Sequence, residues 1–158
     1  MDLTAKIYLE RANNEHLLAK TLQKISETET IKTKLKLPEK ITFYSAAITH
    51  SYYAIFYAAK AILLTKNITT KTPEIHKKTF EEFKKHFVES GILDTELLMI
   101  YKKMIIRADE LLQIFKNEKW KRGHFTYSTI PQANQKPAEE SIKQATKFVK
   151  NIRAVIEK

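Results

Sequence analysis

The residues best suited to do chemistry lie in one segment near the end of the chain, Lys119 to Pro137, with the sequence KWKRGHFTYSTIPQANQKP. Aromatic residues are interleaved there with basic ones: Lys119, Trp120, Lys121, Arg122, His124, Phe125 and Tyr127. Aromatic rings stack on unpaired bases and cations pair with phosphates, so this mixture is typical of surfaces that bind RNA or nucleotides. The alternative interpretation is a loop that its own aromatic rings hold in place.

Arg122, His124 and Tyr127 are the candidate catalytic residues of this segment. RNA cleavage without a metal uses the 2′-hydroxyl as nucleophile, so the protein must supply a base, an acid and a cation. Arg122 can supply the cation, His124 can transfer protons near neutral pH, and Tyr127 can donate a hydrogen bond to phosphate. Residues two apart on a helix point about 200° apart, so Arg122 and His124 converge only if this part of the chain is extended.

Composition excludes several other kinds of chemistry. The chain has 158 residues, no Cys and only two Gly, so thiol catalysis, thiolate zinc sites and Gly-rich phosphate loops are ruled out. Asp occurs three times, at Asp2, Asp94 and Asp109, and no H-E-x-x-H sequence is present, which leaves no clear ligands for a two-metal nuclease. We therefore expect neither a metal site nor a cofactor.

The net charge is +10, spread along the chain rather than concentrated in a tail. A positive field favours acidic partners such as RNA, although many Lys-rich proteins simply carry solvated lysines. The uncharged run Ile41 to Ala59 approaches the length of a membrane span, but its many Thr, Ser and Tyr residues predict a buried central helix and no membrane partner. The charged N-terminus and the absence of Cys favour the cytoplasm.

His50 and Tyr53, inside that uncharged run, are two further candidate binding residues. A histidine in such a position is more often a core group that is hydrogen-bonded to a neighbouring Tyr or to a backbone carbonyl, and this alternative stays open. His76 and His86 lie ten residues apart, too far to share a metal ion, and we expect both at the surface.

The elements that must position these residues are helices, because apolar residues recur at helical spacing through the rest of the chain. The pattern predicts a single all-α domain over residues 1–158, an up-and-down bundle of about five helices. The predicted helices run from about Thr4 to Ser26, from about Glu39 to Lys66, from a Thr72 and Pro73 start to Gly91, from a cap at Asp94 to Phe115, and onward from Pro137. Glu27 to Pro38 is predicted to be a loop.

Five blocks of the sequence resemble the HEPN superfamily, in particular its small prokaryotic single-domain group. They are RANNEHLLA, SYYAIFYAAKAILL, FVESGILD, Arg122 with Tyr127 five positions later, and AEESIKQATKFVKNI. The resemblance implies a helical bundle with two long antiparallel helices at its centre, usually a homodimer, with a minimal nucleotidyltransferase often encoded beside it. Many members are metal-independent ribonucleases that act as toxins, with the nucleotidyltransferase as antitoxin.

The sequence departs from the catalytic signature of that family, in which Arg is followed by His after four to six residues. The next His after Arg122 is His124, after one residue. Arg11 and His16 have the required spacing, but they lie on the first helix rather than near the last long helices, so we interpret this match as accidental. Arg122 and Tyr127 instead match the Arg-x-x-Ala-Asp-Tyr block of the single-domain group, with Phe and Thr in place of Ala and Asp.

The leading hypothesis is therefore a dimeric HEPN-like protein of a toxin–antitoxin type module. In it, the segment around Arg122 and Tyr127 contacts RNA or a nucleotide in a cleft shared by two copies. Whether the protein also cleaves RNA without a metal stays open at this point. The alternative is a non-catalytic binding subunit that docks onto a minimal nucleotidyltransferase. A third interpretation is a plain dimerisation module with solvated charges.

Overall fold

Six helices make up the computed structural model, which describes residues 2–112 and 135–158. In chain order they are α1 (Leu3–Glu27), α2 (Glu29–Lys34), α3 (Tyr44–Leu64), α4 (Ile75–Phe83), α5 (Thr95–Leu112) and α6 (Gln135–Ile156). A five-residue π-helical segment, Lys84–Val88, continues α4. Neither described range contains a strand, and the all-α prediction is confirmed.

The central element is α3, which packs against α1, α4, α5 and α6. Thirteen of its 21 residues are buried, because α3 is apolar or small on nearly every side. Small residues recur along α3 at spacings of three and four, and all of them are fully buried: Ala47, Ser51, Ala54, Ala58 and Ala61. The prediction of a buried central helix is confirmed, and none of the described helices is long and apolar enough to cross a membrane.

Helix α1 lies antiparallel to α3 along a contact lined by small residues. Ala5, Ala12 and Ala19 recur every seven residues on α1, and all three are buried. Small side chains at a helix contact let the two backbones approach closely. Ser26 links the end of α1 to the start of α3. Its hydroxyl donates to the Leu22 carbonyl (2.7 Å) and accepts from the Phe43 amide (2.7 Å).

Three local predictions are wrong. Helix α3 begins at Tyr44 and not near Glu39. The predicted loop between Glu27 and Pro38 contains α2, where Lys32 is buried along its stem and its ammonium donates to the Glu39 carbonyl (3.0 Å). The helix predicted to start at Thr72 and Pro73 begins instead at Ile75. Glu74, directly before it, has a φ of 57°, which is left-handed backbone and interrupts any earlier helical turn.

Helices α5 and α6 are joined by ion pairs. Asp94 caps α5 as predicted, since its Oδ1 accepts from the Glu96 amide (3.2 Å). The Glu140 carboxylate of α6 accepts from Lys103 (2.5 Å) and Arg107 (2.9 Å) of α5, and hydrogen bonds from Lys103 and then Arg107 hold the pKa of Glu140 below its usual value. Since Lys147 pairs with Glu96 (2.5 Å), the two helices are antiparallel.

Candidate functional site

Two of the predicted site residues, His50 and Tyr53, fall within the described parts of the chain. The remainder lie between the two described ranges and stay predictions: Trp120, Lys121, Arg122, His124, Phe125 and Tyr127. His50 and Tyr53 belong to the stripe of α3 that is half-buried rather than buried. The stripe continues through Tyr57 and Lys60, because residues three or four apart lie on one face of a helix.

This stripe meets three side chains of α1, and together they form one surface that contains both aromatic and charged groups. We call it the α1–α3 surface and define it by six residues, Tyr8, Arg11, Glu15, His50, Tyr53 and Tyr57. Arg11 and Glu15 are four residues apart on α1, as are Tyr53 and Tyr57 on α3, so each pair projects from one face of its helix. The antiparallel packing of the two helices brings both faces together.

His50 is paired with Glu15 across the helix contact. Its Nδ1 lies 2.5 Å from the Glu15 Oε2, and the two side chains remain 29% and 24% exposed. A core histidine was expected to bond to a Tyr hydroxyl or to a backbone carbonyl. The Nδ1 of His50 has neither of these partners among the described residues. A carboxylate at Nδ1 orients the ring, and Nε2 has no hydrogen bond to any described residue, which leaves that nitrogen able to bind a ligand.

Three tyrosine rings and one guanidinium make up the rest of the surface. Tyr57 stacks on Tyr8 and on Tyr53, with ring centroids 6.1 Å and 6.2 Å apart. The Arg11 Nη2 donates to the Tyr57 hydroxyl (2.6 Å), and its guanidinium carbon lies 4.1 Å from the centre of that ring. Burial raises the pKa of Tyr53 and of Tyr57, although Arg11 opposes this in Tyr57, so both phenols are neutral at neutral pH.

Arg11 and His16 are the one pair in the sequence with the Arg and His spacing of the family's catalytic signature. Their side chains point to different helices of the protein and do not meet. Arg11 contacts Tyr57 on α3, whereas the His16 Nε2 lies 2.6 Å from the Thr146 hydroxyl oxygen on α6. That hydroxyl donates to the Ile142 carbonyl (2.8 Å), so His16 must be the donor to it. Residues five apart on a helix point about 140° apart, which accounts for the divergence.

His76 is half-buried, and the expectation that it lies at the surface is wrong. Its Nδ1 lies 2.8 Å from the hydroxyl oxygen of the buried Tyr52, and its ring centroid is 4.4 Å from that of Phe56. Burial, and then the charge of Lys60, lowers the pKa of His76. Across residues 2–112 and 135–158 there is no group of three or more side chains placed to hold a metal ion.

The α1–α3 surface contains residues that the sequence analysis did not select, namely Tyr8, Arg11, Glu15 and Tyr57. The four-residue spacings were visible in the sequence. The pairing of the two helix faces was not, because periodicity shows which residues share a face and says nothing about which faces meet. Chemically, the surface offers ring faces for stacking, a cation for an anionic group and an oriented imidazole.

Comparison with known proteins identifies the family. The family model described as "HEPN domain" matches residues 19–158, which include all of α3. This chain belongs to the HEPN domain family. The resemblance seen in the sequence blocks is thereby confirmed. Within this HEPN chain, the match begins at Ala19, so the α1 half of the α1–α3 surface lies outside the matched residues.

Two archaeal proteins are similar to this HEPN chain. The Methanocaldococcus jannaschii protein named "Putative toxin MJ0605" is 30% identical over 135 residues, which is 85% of this chain and 86% of that protein. A second protein of the same organism, named "Putative toxin MJ0142", is 42% identical over 55 residues, which is 35% of each chain. The first of these similarities extends over most of both proteins.

Proposed function

We propose that this HEPN protein is the toxin component of a toxin–antitoxin type module. It acts as a homodimer that binds RNA or a nucleotide and cleaves RNA without a metal ion. Arg122, His124 and Tyr127 form the catalytic group. The residues that contribute to binding are Trp120, Lys121, Phe125, His50 and Tyr53.

The observation that carries this proposal is the similarity, over 85% of the chain, to the relative named "Putative toxin MJ0605". The α1–α3 surface adds physical support. The half-buried Tyr53 provides an aromatic ring for contact with a base, and Arg11 provides a cation for a phosphate. The net charge of +10 attracts a polyanion from a distance.

In the proposed reaction, the 2′-oxygen of RNA bonds to the adjacent phosphorus while the bond to the 5′-oxygen of the next nucleotide breaks. The products are a 2′,3′-cyclic phosphate and a 5′-hydroxyl. His124 takes the proton of the 2′-hydroxyl and Arg122 stabilises the charge that develops on the phosphate oxygens. Tyr127 donates a hydrogen bond to the same phosphate. The second copy in the dimer supplies the acid that protonates the leaving oxygen.

The second candidate function is a non-catalytic subunit that binds nucleotide and docks onto a minimal nucleotidyltransferase. Two observations favour it. The Arg and His spacing of the family signature is absent at Arg122, since His124 follows after a single residue. The one pair that has the spacing, Arg11 and His16, contacts different helices.

The experiment that separates the two functions is incubation of the purified chain with RNA in the presence of a metal chelator. Cleavage by the unaltered protein, with a loss of at least about 100-fold in Arg122→Ala and His124→Ala, supports the first. His86→Ala is the matched control. His86 lies in the π-helical segment, pairs with Glu82 of α4 (3.0 Å) and is not one of the proposed catalytic residues. This variant should retain activity within about twofold. Cleavage unchanged in both loop variants contradicts the assigned catalytic residues.

Absence of cleavage by the unaltered protein favours the binding-subunit function, which a second measurement tests directly. The chain is co-expressed with a minimal nucleotidyltransferase, and the molar mass of the purified material is measured by light scattering. A stable complex of both chains supports docking. A monomer at micromolar concentration, when this chain is measured alone, contradicts the shared cleft.

A further inference from the structure

A pocket of about 410 Å³ lies at one end of the α1–α3 surface. Its walls come from the start of α1, the last turns of α3 and the segment that leads to α4. The floor is apolar and includes Leu64 and Ile68, while Tyr8, Lys60, Lys71 and Thr72 contribute polar and aromatic groups. Small-molecule sites typically have volumes of about 300–1,000 Å³, with an apolar lining and a few placed polar groups, and this pocket has those features.

Lys60 is the half-buried cation of the pocket. Its ammonium donates to the Thr70 carbonyl (3.2 Å) and lies 5.0 Å and 5.8 Å from the ring centres of Tyr8 and Phe56. No carboxylate of the described residues is within ion-pair distance of it. A partly buried charge that faces only a carbonyl and two rings is not neutralised, so an anion that entered the pocket would be attracted to it.

The wall opposite α3 is fixed by buried hydrogen bonds. The Thr70 and Thr79 hydroxyl oxygens are 2.6 Å apart, and both residues are buried. Because the Thr79 hydroxyl donates to the Ile75 carbonyl (2.7 Å), Thr70 must donate to Thr79. The wall therefore has its shape before any ligand arrives, which reduces the entropy that binding would lose.

We propose that this pocket binds a small molecule that carries both a phosphate group and a flat aromatic ring system, joined by a short linker such as a sugar. The phosphate pairs with Lys60, and with Lys71, which is exposed at the rim. The ring lies against Tyr8 and the apolar floor, since a phosphate alone would leave that apolar surface in contact with water. The pocket is separate from the proposed catalytic residues, and the inference holds whether or not the chain cleaves RNA.

The test is calorimetric titration of the full-length chain with three probes: adenosine 5′-monophosphate, inorganic phosphate and adenosine. The monophosphate should bind more tightly than either of the others, because only it contacts both the cation and the apolar floor. Lys60→Met should weaken its binding by at least about tenfold, and Lys71→Met by a smaller factor. The control is Lys66→Met, with an expected change below about twofold.

Lys66 is a close match to Lys60 outside the pocket. Its ammonium also donates to a backbone carbonyl, that of His86 (2.8 Å), and also lies over an aromatic ring, Phe87, at 4.8 Å. Equal losses in Lys60→Met and Lys66→Met would therefore mean that general charge, and not the pocket, attracts the probe. Equal affinity for adenosine and its monophosphate, or no binding of any probe at millimolar concentration, also overturns the proposal.

A melting temperature measured for each variant shows whether the wall survives the substitution. If Lys60→Met is unfolded, Lys71→Met decides, because Lys71 is exposed and its side chain makes no contact that holds the wall. An unchanged affinity in a folded Lys71→Met protein would then contradict the assigned phosphate position. None of these outcomes alters the RNA experiment, since Arg122 and His124 are unchanged in every variant.

Discussion

Two histidines, His16 and His76, are half-buried and each is hydrogen-bonded to a hydroxyl group of another helix. Burial lowers the pKa of both, and nearby lysines, Lys20 for His16 and Lys60 for His76, lower it further. A neutral Nδ1 of His76 can accept a hydrogen bond from the Tyr52 hydroxyl, whereas a protonated imidazole cannot. The folded protein therefore favours the neutral form of these rings.

Stability should fall when the pH is lowered from 7.5 to 5.5, and His76→Gln should reduce that fall. Because the folded pKa is depressed, the unfolded chain binds the proton more readily. The contribution of His76 is complete above its unfolded pKa of about 6.5 and is lost as the pH falls towards the folded value. Urea unfolding at the two pH values measures this, and the difference should shrink by up to about 1 kcal/mol in the variant.

His86→Gln provides the comparison, since His86 lies in a surface pair with Glu82 and has no buried hydroxyl partner. An identical dependence on pH in His76→Gln and the unaltered protein would show that burial of this ring does not affect stability. The histidine at position 76 could not be placed from the sequence, because its partner Tyr52 lies 24 residues away on another helix. His50 stays a predicted binding residue, and its carboxylate partner on α1, Glu15, was not foreseen because it lies 35 residues away on another helix.

The contact between α1 and α3 depends on small residues. Ala12 is fully buried, in the same apolar cluster as the equally buried Ala54, Ala58 and Tyr52 of α3. A larger side chain at position 12 has no space unless α1 moves away, and such movement would disturb the whole α1–α3 surface.

Ala12→Leu should lower the free energy of unfolding by about 1–3 kcal/mol through overpacking. Asn14→Leu introduces the same side chain two positions away on the exposed side of α1, and should change stability by no more than about 0.5 kcal/mol. Chemical denaturation of both variants measures the difference. Equal effects would show that the alanine contact is loosely packed.

Periodicity predicted α1 to within one residue at each end and the end of α3 to within two residues, because these bounds follow the apolar residues that the helices bury. The start of α3 was misplaced by five residues, at Glu39 instead of Tyr44. The cap at Asp94 was also predictable, since it depends on a local hydrogen bond. The short helix α2 was missed because its Lys-rich sequence has no apolar stripe of useful length. The start of α4 was misplaced because it depends on a left-handed residue, Glu74, and on a buried contact from Thr70 to Thr79.

The net charge of +10 should make any RNA binding strongly dependent on salt concentration. The logarithm of the affinity for single-stranded RNA should fall linearly with that of the salt concentration, with a slope of about −0.7 for each phosphate contacted. Arg11→Gln should reduce the magnitude of the slope by about 0.7, as one contact is lost. Fluorescence anisotropy at several salt concentrations measures the slope.

Lys150→Gln removes the same charge from an exposed position on α6 and should leave the slope unchanged. Affinity that does not vary with salt would contradict a phosphate-based contact. An unchanged slope in Arg11→Gln would remove the α1–α3 surface from the proposed RNA contact while leaving the predicted segment around Arg122 in place.

The alanine-lined packing of α1 sets where this protein can be shortened. The match to the family model starts at Ala19, yet Ala5, Leu9 and Ala12 are all buried in the first half of the same helix. A fragment that contains only the matched residues would lack the first half of α1. The apolar side of α3 would then be exposed to solvent, which favours aggregation. The smallest recombinant version that keeps its native shape must retain the whole helix from Leu3.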